Sequence, residues 1–328
     1  MNKDMRSKDS RKLVSIAETL RLQLVIWWEY PKLKVVGILL WWLCVLVPYY
    51  FGASHWHKAE EFFQQSKHMI FLMPMCVGIA IFGLWCAVYE LIYYLRPKFL
   101  DKFKDNTNQW SRTVDPKWSD LLKTAYIQVL INNLLWSGLF SALGAYTGLS
   151  NYRTTEAEIP SLFVYLCQIL FFMICEDFAL YWSHRSLHHP SIYKHIHKQH
   201  HEFYDTECIS AEYNHPIEHI MTNIDLTLGP SLMFGRAHLL PMLVFIALRV
   251  TEASESHCGY DLPFHISRIF PFGFSSRYHN YHHTHNVGNF GSITIIWDSI
   301  FGTNSSFYED QVRENKTFAN YRMQLKNK

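Results

Sequence analysis

The sequence predicts an all-α integral membrane protein, folded as a helical bundle that carries a histidine-rich site for two metal ions. Hydrophobic residues make up 49% and aromatic residues 16% of the 328-residue chain. Four apolar stretches are long enough to cross a bilayer, which takes about 20 residues in a helix. The pattern H-x-x-H-H occurs twice, at residues 197–201 and 279–283.

We predict four segments along the chain. Residues 1–34 form a basic cytosolic N-terminus, in which residues 11–30 are expected to form an amphipathic helix on the membrane surface. A membrane-span region follows at residues 35–158, then a histidine-rich domain at 159–303 and a polar C-terminal tail at 304–328. The apolar positions of the surface helix are Leu13, Ile16, Ala17, Leu20 and Leu24.

The predicted membrane spans cover residues 35–51, 70–95, 125–149 and 159–182. The first of these is short, and the alternative interpretation of this segment is a buried hairpin helix that does not cross the membrane. A fifth apolar region, residues 221–250, is interrupted by Gly229-Pro230 and by Pro241. These breaks predict two half-length helices that enter the membrane and return.

Basic residues near the spans predict the orientation, because cytoplasmic loops carry an excess of Lys and Arg. Residues 1–34 carry eight and the loop 96–123 carries seven, against two in 52–69 and one in 150–158. The N-terminus and everything after Trp182 are therefore expected on the cytosolic side. The net charge of only +2 gives no case for binding nucleic acid.

Sixteen of the nineteen histidines lie between His184 and His285. Positions i, i+3 and i+4 of a helix share one face, so each H-x-x-H-H is expected to aim three imidazoles at one point. His184 and His188 add two more, which gives eight nitrogen donors, too many for one ion. Imidazole suits zinc, iron or copper, whereas calcium and magnesium prefer oxygen, so the pattern predicts two transition-metal ions.

An all-histidine metal pair beside a membrane suits oxygen activation on a lipid, because metals supply the chemistry that oxidises unreactive C–H bonds. Asp177 lies two helical turns before His184, so its carboxylate is expected to hold the second nitrogen of a ligating histidine. The alternative for Glu176-Asp177 is a charge pair at a helix end that reaches the interface. No G-x-G-x-x-G or P-loop is present, so electrons are expected from a partner protein.

The histidine motifs resemble those of the fatty acid hydroxylase superfamily of membrane di-iron oxygenases. The segments that carry the resemblance are residues 184–189, 196–203, 211–218, 256–261 and 279–303. Within the superfamily the sequence is most similar to the methylsterol monooxygenases. These enzymes of the endoplasmic reticulum oxidise the carbon-4 methyl groups of sterol precursors.

The resemblance implies a cytosolic helical cap that holds two iron ions, which zinc can replace in purified protein. It also implies the endoplasmic reticulum membrane as location, and cytochrome b5 with its reductase as electron donors. A tenth ligand is left open between Asp261 and His215, and Tyr278 stands where relatives begin the last motif with a histidine. The implied metal ligands are His184, His188, His197, His200, His201, His257, His279, His282 and His283.

The resemblance thus implies a monooxygenase that acts on a sterol, at a carbon-4 methyl group. Other sterol or lipid enzymes of the superfamily are alternatives, namely side-chain hydroxylases, carbon-5 desaturases and fatty acid hydroxylases. A non-catalytic metal-binding membrane protein is the alternative from a different class. A zinc hydrolase is disfavoured, because H-E-x-x-H is absent although Glu202 follows His201.

Overall fold

Helices dominate the computed structural model, which describes residues 16–66, 68–105, 110–148 and 151–314. Among these residues, extended pairing is limited to three isolated β-bridges, so the all-α prediction is confirmed. The main helices are α1 (Ile16–Trp27), α2 (Pro31–Gln65), α3 (Met69–Leu95), α4 (Trp118–Thr147, with a π-helical turn at Asn132–Trp136), α5 (Leu162–Leu187), α6 (Pro216–Leu232), α7 (Leu239–Ser256), α8 (Ser276–His285), α9 (Ile296–Phe301) and α10 (Ser305–Glu314).

Four helices, α2 to α5, are long and apolar enough to cross a membrane, and the protein is a multi-pass membrane protein. Only 6% of the most apolar 18-residue stretch of α3 is buried inside the protein. Its apolar side chains therefore face outward, as contact with lipid requires. On the inner side, α5 packs against α6 and α7, while α7 packs against α3 and α8. This packing brings the histidine-bearing ends of α5, α7 and α8 together.

The first membrane helix is longer than the predicted span of residues 35–51. It begins at Pro31, a residue suited to the first helical position, and continues to Gln65. The predicted loop 52–69 is mostly helical because its Ala, Glu and Gln residues favour helix after the apolar stretch ends. Only 11% of the most apolar 18-residue stretch of α2 is buried inside the protein, so the alternative of a buried hairpin helix is wrong.

The fifth apolar region forms two helices, α6 and α7, as its interrupted sequence predicted. The break lies after Leu232 and not at Gly229-Pro230, both of which stay inside α6. Gly229 is needed there for close packing, because an added Cβ would lie 2.7 Å from the Cα of Phe172 in α5. The chain turns at Gly235, whose φ of 76° is a left-handed conformation that favours glycine.

The N-terminal helix α1 is amphipathic in a way that the sequence only partly predicted. Ile16 and Leu24 are 50% and 42% exposed, as expected for a face toward the membrane surface. The opposite face is also apolar, and Leu22 packs into a buried cluster with Tyr278 of α8 and Phe307 of α10. Residues 305–314, within the predicted polar tail, therefore form a helix that packs through Phe307 and Tyr308. Leu13 lies outside the described residues.

Candidate metal centre

The structure brings the nine predicted histidines together in two adjoining groups. Within each group every residue offers a ligand atom, and these atoms all lie within 4.8 Å of one another. The rings of His201 and His283, which belong to different groups, are only 4.7 Å apart between centroids. The first group is His184, His188, His197, His201 and His282, and the second group is His200, His257, His279 and His283.

Each H-x-x-H-H motif is divided between the two groups, so the expectation of three imidazoles aimed at one point is wrong. His279 and His283 of α8 belong to the second group, whereas His282 belongs to the first. The reason is helical geometry, since consecutive residues differ by about 100° around a helix and His282 and His283 must diverge. The motif at residues 197–201 divides in the same way, although it lies in a turn and a 3₁₀ helix and not in an α-helix.

Six of the nine rings use their Nδ1 atom to bind an acceptor outside the groups. One acceptor is a carboxylate, because His197 Nδ1 lies 2.8 Å from Glu218 Oε1. A carbonyl oxygen only accepts hydrogen bonds, so the ring facing it must carry its hydrogen on Nδ1 and leave Nε2 as a bare lone pair. The five carbonyl contacts are His184 to Phe290 (3.1 Å), His200 to Tyr213 (3.2 Å), His257 to Ala253 (2.9 Å), His282 to Gly288 (2.5 Å) and His283 to Phe203 (2.9 Å).

The Nε2 atoms then face one another inside the groups. In the second group, Nε2 of His257 lies 3.4 Å from that of His200 and 2.8 Å from that of His279. Neither His200 nor His257 can donate through Nε2, so their lone pairs repel unless a cation lies between them. In the first group, Nε2 of His184 is buried with no hydrogen-bond partner among the described residues. The donor set therefore fits bound metal ions.

Burial keeps the imidazoles neutral, which is the state that binds metal. It lowers the pKa of His200 to about 4 and the pKa of His188 to about 2. Neighbouring rings act in the same direction on most of them, because a proton on one would repel a proton on the next. Desolvation also lowers the pKa, below its ordinary value, of His197, His201, His257, His279, His282 and His283.

Asp177 does not contact a ligating histidine, contrary to the prediction. Its carboxylate accepts hydrogen bonds from the backbone of Ile293 (2.8 Å) and Thr294 (2.9 Å). The segment 290–294 lies between the two residues, because its Phe290 carbonyl binds the His184 ring while its other end binds Asp177. Asp177 thus supports the segment that orients His184. The interfacial alternative is also wrong, since Glu176 and Asp177 are 2% and 6% exposed.

Neither candidate for a tenth ligand reaches the groups. Asp261 lies between two guanidinium groups, 3.4 Å from Arg268 and 3.5 Å from Arg277. His215 accepts a hydrogen bond from the backbone N–H of Ile217 at 3.2 Å and caps the start of α6. Tyr278 precedes His279 on α8 and points into the apolar cluster with Leu22. The tyrosine that replaces the histidine of relatives at position 278 therefore does not disturb the nine histidines.

Glu218 is the carboxylate that does hold a histidine of the first group, and the sequence predicted no such role for it. It lies at the end of the motif 211–218, so its position was visible but its pairing with His197 was not. Asp298 was missed in the same way. It accepts hydrogen bonds from the backbone N–H of Phe290 (2.9 Å) and Gly291 (2.7 Å), which fixes the segment that orients His184.

A cavity of about 220 Å³ connects the membrane helices with the histidines. Much of its membrane part is lined by apolar side chains, including Phe71, Pro74 and Met75 of α3 and Phe140 of α4. Histidines of both groups line its other end, namely His184, His197, His200, His257 and His279. An apolar molecule inside the membrane domain can therefore approach both groups.

A helical membrane domain with two buried histidine groups at the end of a cavity lined by membrane helices defines a class of membrane-embedded metalloprotein. The profile of the fatty acid hydroxylase family matches residues 169–303. The chain is 32% identical to methylsterol monooxygenase 2-2 of Arabidopsis thaliana, over 66% of this chain and 79% of that protein. It is 31% identical to methylsterol monooxygenase 1 of Gallus gallus, over 70% of this chain and 78% of that protein.

A third relative is a very-long-chain aldehyde decarbonylase of Oryza sativa, 35% identical over 51% of this chain and 65% of that protein. No solved structure matches the chain. The chain belongs to the fatty acid hydroxylase family, and it is an oxidoreductase of the monooxygenase type.

Proposed function

We propose that this protein is a sterol monooxygenase that holds two iron ions and oxidises a carbon-4 methyl group of a sterol precursor. The observation that carries the proposal is the cavity, which joins apolar side chains of the membrane helices to histidines of both groups. A substrate dissolved in the bilayer would reach the metals by this route without crossing water. The methylsterol monooxygenase relatives support a sterol as that substrate.

In this proposal each histidine group holds one ion, and the nine histidines of the two groups are the ligands. Bound iron supplies oxygen activation, which allows an unreactive C–H bond to be oxidised. The protein's own residues fix the geometry, because the Nδ1 contacts of His197, His200 and His282 orient their rings. Zinc binds such nitrogen sites more tightly than ferrous iron and is expected to replace some iron during purification.

Electrons come, in this proposal, from cytochrome b5 and its reductase. The sequence has no nucleotide-binding fingerprint of its own. Lys194 and Lys198 are exposed on either side of His197, and their positive charge would attract an acidic electron carrier. The surface beside the first group is therefore the proposed point of electron entry.

We place the protein in the endoplasmic reticulum membrane with the histidine groups on the cytosolic side. The distribution of Lys and Arg supports this orientation, since residues 1–34 and the loop 96–123 carry most of the basic side chains near the spans. A soluble cytosolic electron donor domain would then have direct access to the metal centre.

The aldehyde decarbonylase relatives favour a second candidate, conversion of a very-long-chain aldehyde. The same cavity and histidine groups would serve an aldehyde-bearing chain, so the geometry alone does not separate the two. Coverage favours the sterol, because the decarbonylase similarity extends over 51% of the chain and the similarity to methylsterol monooxygenase 1 of Gallus gallus over 70%.

The test is turnover by the purified full-length chain with cytochrome b5, its reductase, NADH and ¹⁸O₂. With a 4,4-dimethylsterol we expect a product that carries ¹⁸O on a carbon-4 substituent, and no product from the His282→Ala variant. Conversion of a very-long-chain aldehyde with the sterol unchanged would support the second candidate. Oxidation of neither compound by protein that contains two iron ions would overturn both.

A further inference from the structure

The cavity has two chemically different walls. One wall is apolar and includes Phe71 and Met75 of α3. The other wall carries polar side chains of α4 and its neighbours, among them Asn133, Ser137 and Glu212. Polar groups in a membrane domain are costly unless they are paired or bind something polar. A purely hydrocarbon substrate would gain nothing from the second wall.

A local irregularity of α4 builds the polar wall. The helix contains a π turn at Asn132–Trp136, a feature frequently found at functional sites. The turn lets neighbouring asparagines both face inward, since Asn132 Nδ2 donates to the carbonyl of Asn214 at 3.0 Å and Asn133 Nδ2 donates to Glu212 Oε2. Asn133 thus fixes the position of a carboxyl group inside the cavity.

The carboxyl group of Glu212 has one oxygen left over. Asn133 uses Oε2, and Oε1 has no hydrogen-bond partner within the part of the chain that the structure describes. The Glu212 side chain is partly exposed, and it lines the cavity that contains the histidines. The next residue, Tyr213, accepts the hydrogen bond from His200 Nδ1 at 3.2 Å. Glu212 thus lines the same cavity as His200 of the second histidine group and adjoins the residue that holds its ring.

A second polar pair continues the same wall. Ser137 Oγ lies 2.8 Å from Nε2 of His219, and both side chains are buried. Because Ser137 and His219 pair with each other, Oε1 of Glu212 is left as an acceptor on this wall for a ligand that donates a hydrogen bond.

We propose that Glu212, held by Asn133, accepts a hydrogen bond from a hydroxyl group of the substrate and fixes that hydroxyl beside the second histidine group. The inference rests on the proposed function for the identity of the alcohol. In a 4-methylsterol the hydroxyl on carbon 3 is on the carbon next to carbon 4. Anchoring the hydroxyl at Glu212 therefore holds the carbon-4 methyl group near the histidines.

The test compares alcohols with the ketone or aldehyde at the same carbon, which accepts hydrogen bonds but cannot donate one. The ligand pairs are 4,4-dimethylcholestanol with its 3-ketone, and octadecanol with octadecanal. Binding to the detergent-solubilised full-length chain is measured by tryptophan fluorescence. Burial raises the pKa of Glu212 to about 7, so pH 8 keeps the carboxylate ionised and able only to accept.

We expect the native chain to bind the sterol alcohol about tenfold more tightly than its ketone, as one hydrogen bond to a charged group provides. The Glu212→Gln variant replaces the free acceptor by an N–H donor, so the preference should shift toward the ketone. A purely structural role would weaken both ligands equally. The exposed Glu156→Gln change is the matched control and should keep the native preference.

Equal binding of alcohol and ketone by the native chain, in both ligand pairs, would overturn the inference whatever the enzyme oxidises. So would a Glu212→Gln variant that keeps the native preference. A preference confined to octadecanol, reversed by Glu212→Gln, would support the hydroxyl site and contradict the sterol proposal. Failure of one proposal is thus distinguishable from failure of the other.

Discussion

The ring of His197 and the carboxylate of Glu218 form a buried hydrogen bond, with 2.8 Å between Nδ1 and Oε1. The two residues are only 1% and 4% exposed, so solvent does not compete for this contact. The carboxylate keeps the hydrogen on Nδ1 and directs the Nε2 lone pair into the first histidine group. Within the described structure, His197 is the one of the nine histidines whose ring lies at hydrogen-bond distance from an acidic side chain.

The Glu218→Gln variant should bind metal in the first group about 10 to 100 times more weakly, because the amide lacks the charge that orients and polarises the ring. The measurement is metal retained per chain after dialysis against graded concentrations of a chelator. Glu156→Gln, which makes the same chemical change at an exposed position, should behave like the native chain. Equal metal retention by all three proteins would remove Glu218 from the site.

The division of each motif predicts an unusual result for two adjacent residues. His282→Ala should lose the ion of the first group and His283→Ala that of the second, so each variant should retain about one ion per chain. The double variant should retain none. Metal analysis of the purified, folded proteins tests this, with two ions expected for the native chain. Loss of both ions in either single variant would show that the groups are not separate sites.

The N-terminal helix should stabilise the metal centre through the face that packs on α8. Leu22 is fully buried, so Leu22→Ala should lower the free energy of unfolding by about 3 kcal/mol, within the usual range for a buried leucine. Leu24, on the exposed face of the same helix, is the matched control, and Leu24→Ala should change stability little in detergent. Thermal unfolding of the solubilised proteins gives the comparison, and equal shifts would contradict the packing of α1.

The orientation can be tested with two exposed positions expected on opposite sides of the membrane. In sealed microsomes, Lys194→Cys should react with a membrane-impermeant maleimide, because the proposed orientation puts the histidine-bearing side in the cytosol. Glu156→Cys should react only after detergent is added. The native chain, labelled in the same way, is the control for reaction at the cysteines already present. The reverse pattern would place the histidine groups in the lumen.

Much of the fold was predictable because its signals are local. Membrane spans need long apolar stretches, and all four were identified, although the helical extension of α2 to Gln65 was missed since polar residues carry no span signal. The nine histidines were recognisable from motif spacing and from the resemblance to a family. The structure brings all nine together. They separate into two groups because neighbouring residues of a helix point about 100° apart.

The contacts that orient the histidines were not predictable from spacing. Asp177 and His184 do lie two turns apart on α5, but a segment more than 100 residues later in the chain, at 290–294, lies between them. Glu218 reaches His197 because α6 packs beside the turn at 197–201, which no local pattern indicates. The tenth-ligand candidates failed for the same reason, since the partners of Asp261 are arginines brought by tertiary packing.

The proposed oxidation at carbon 4 can be tested by the sterol composition of a yeast strain that lacks its own methylsterol oxidase and expresses this chain. We expect the native chain to restore normal sterols, whereas 4,4-dimethylsterols should accumulate with the His282→Ala variant present in the membrane at the same level. Accumulation of 4,4-dimethylsterols with the native chain at normal expression would contradict the carbon-4 assignment. Full rescue by His282→Ala would contradict the role of the histidine groups in the reaction.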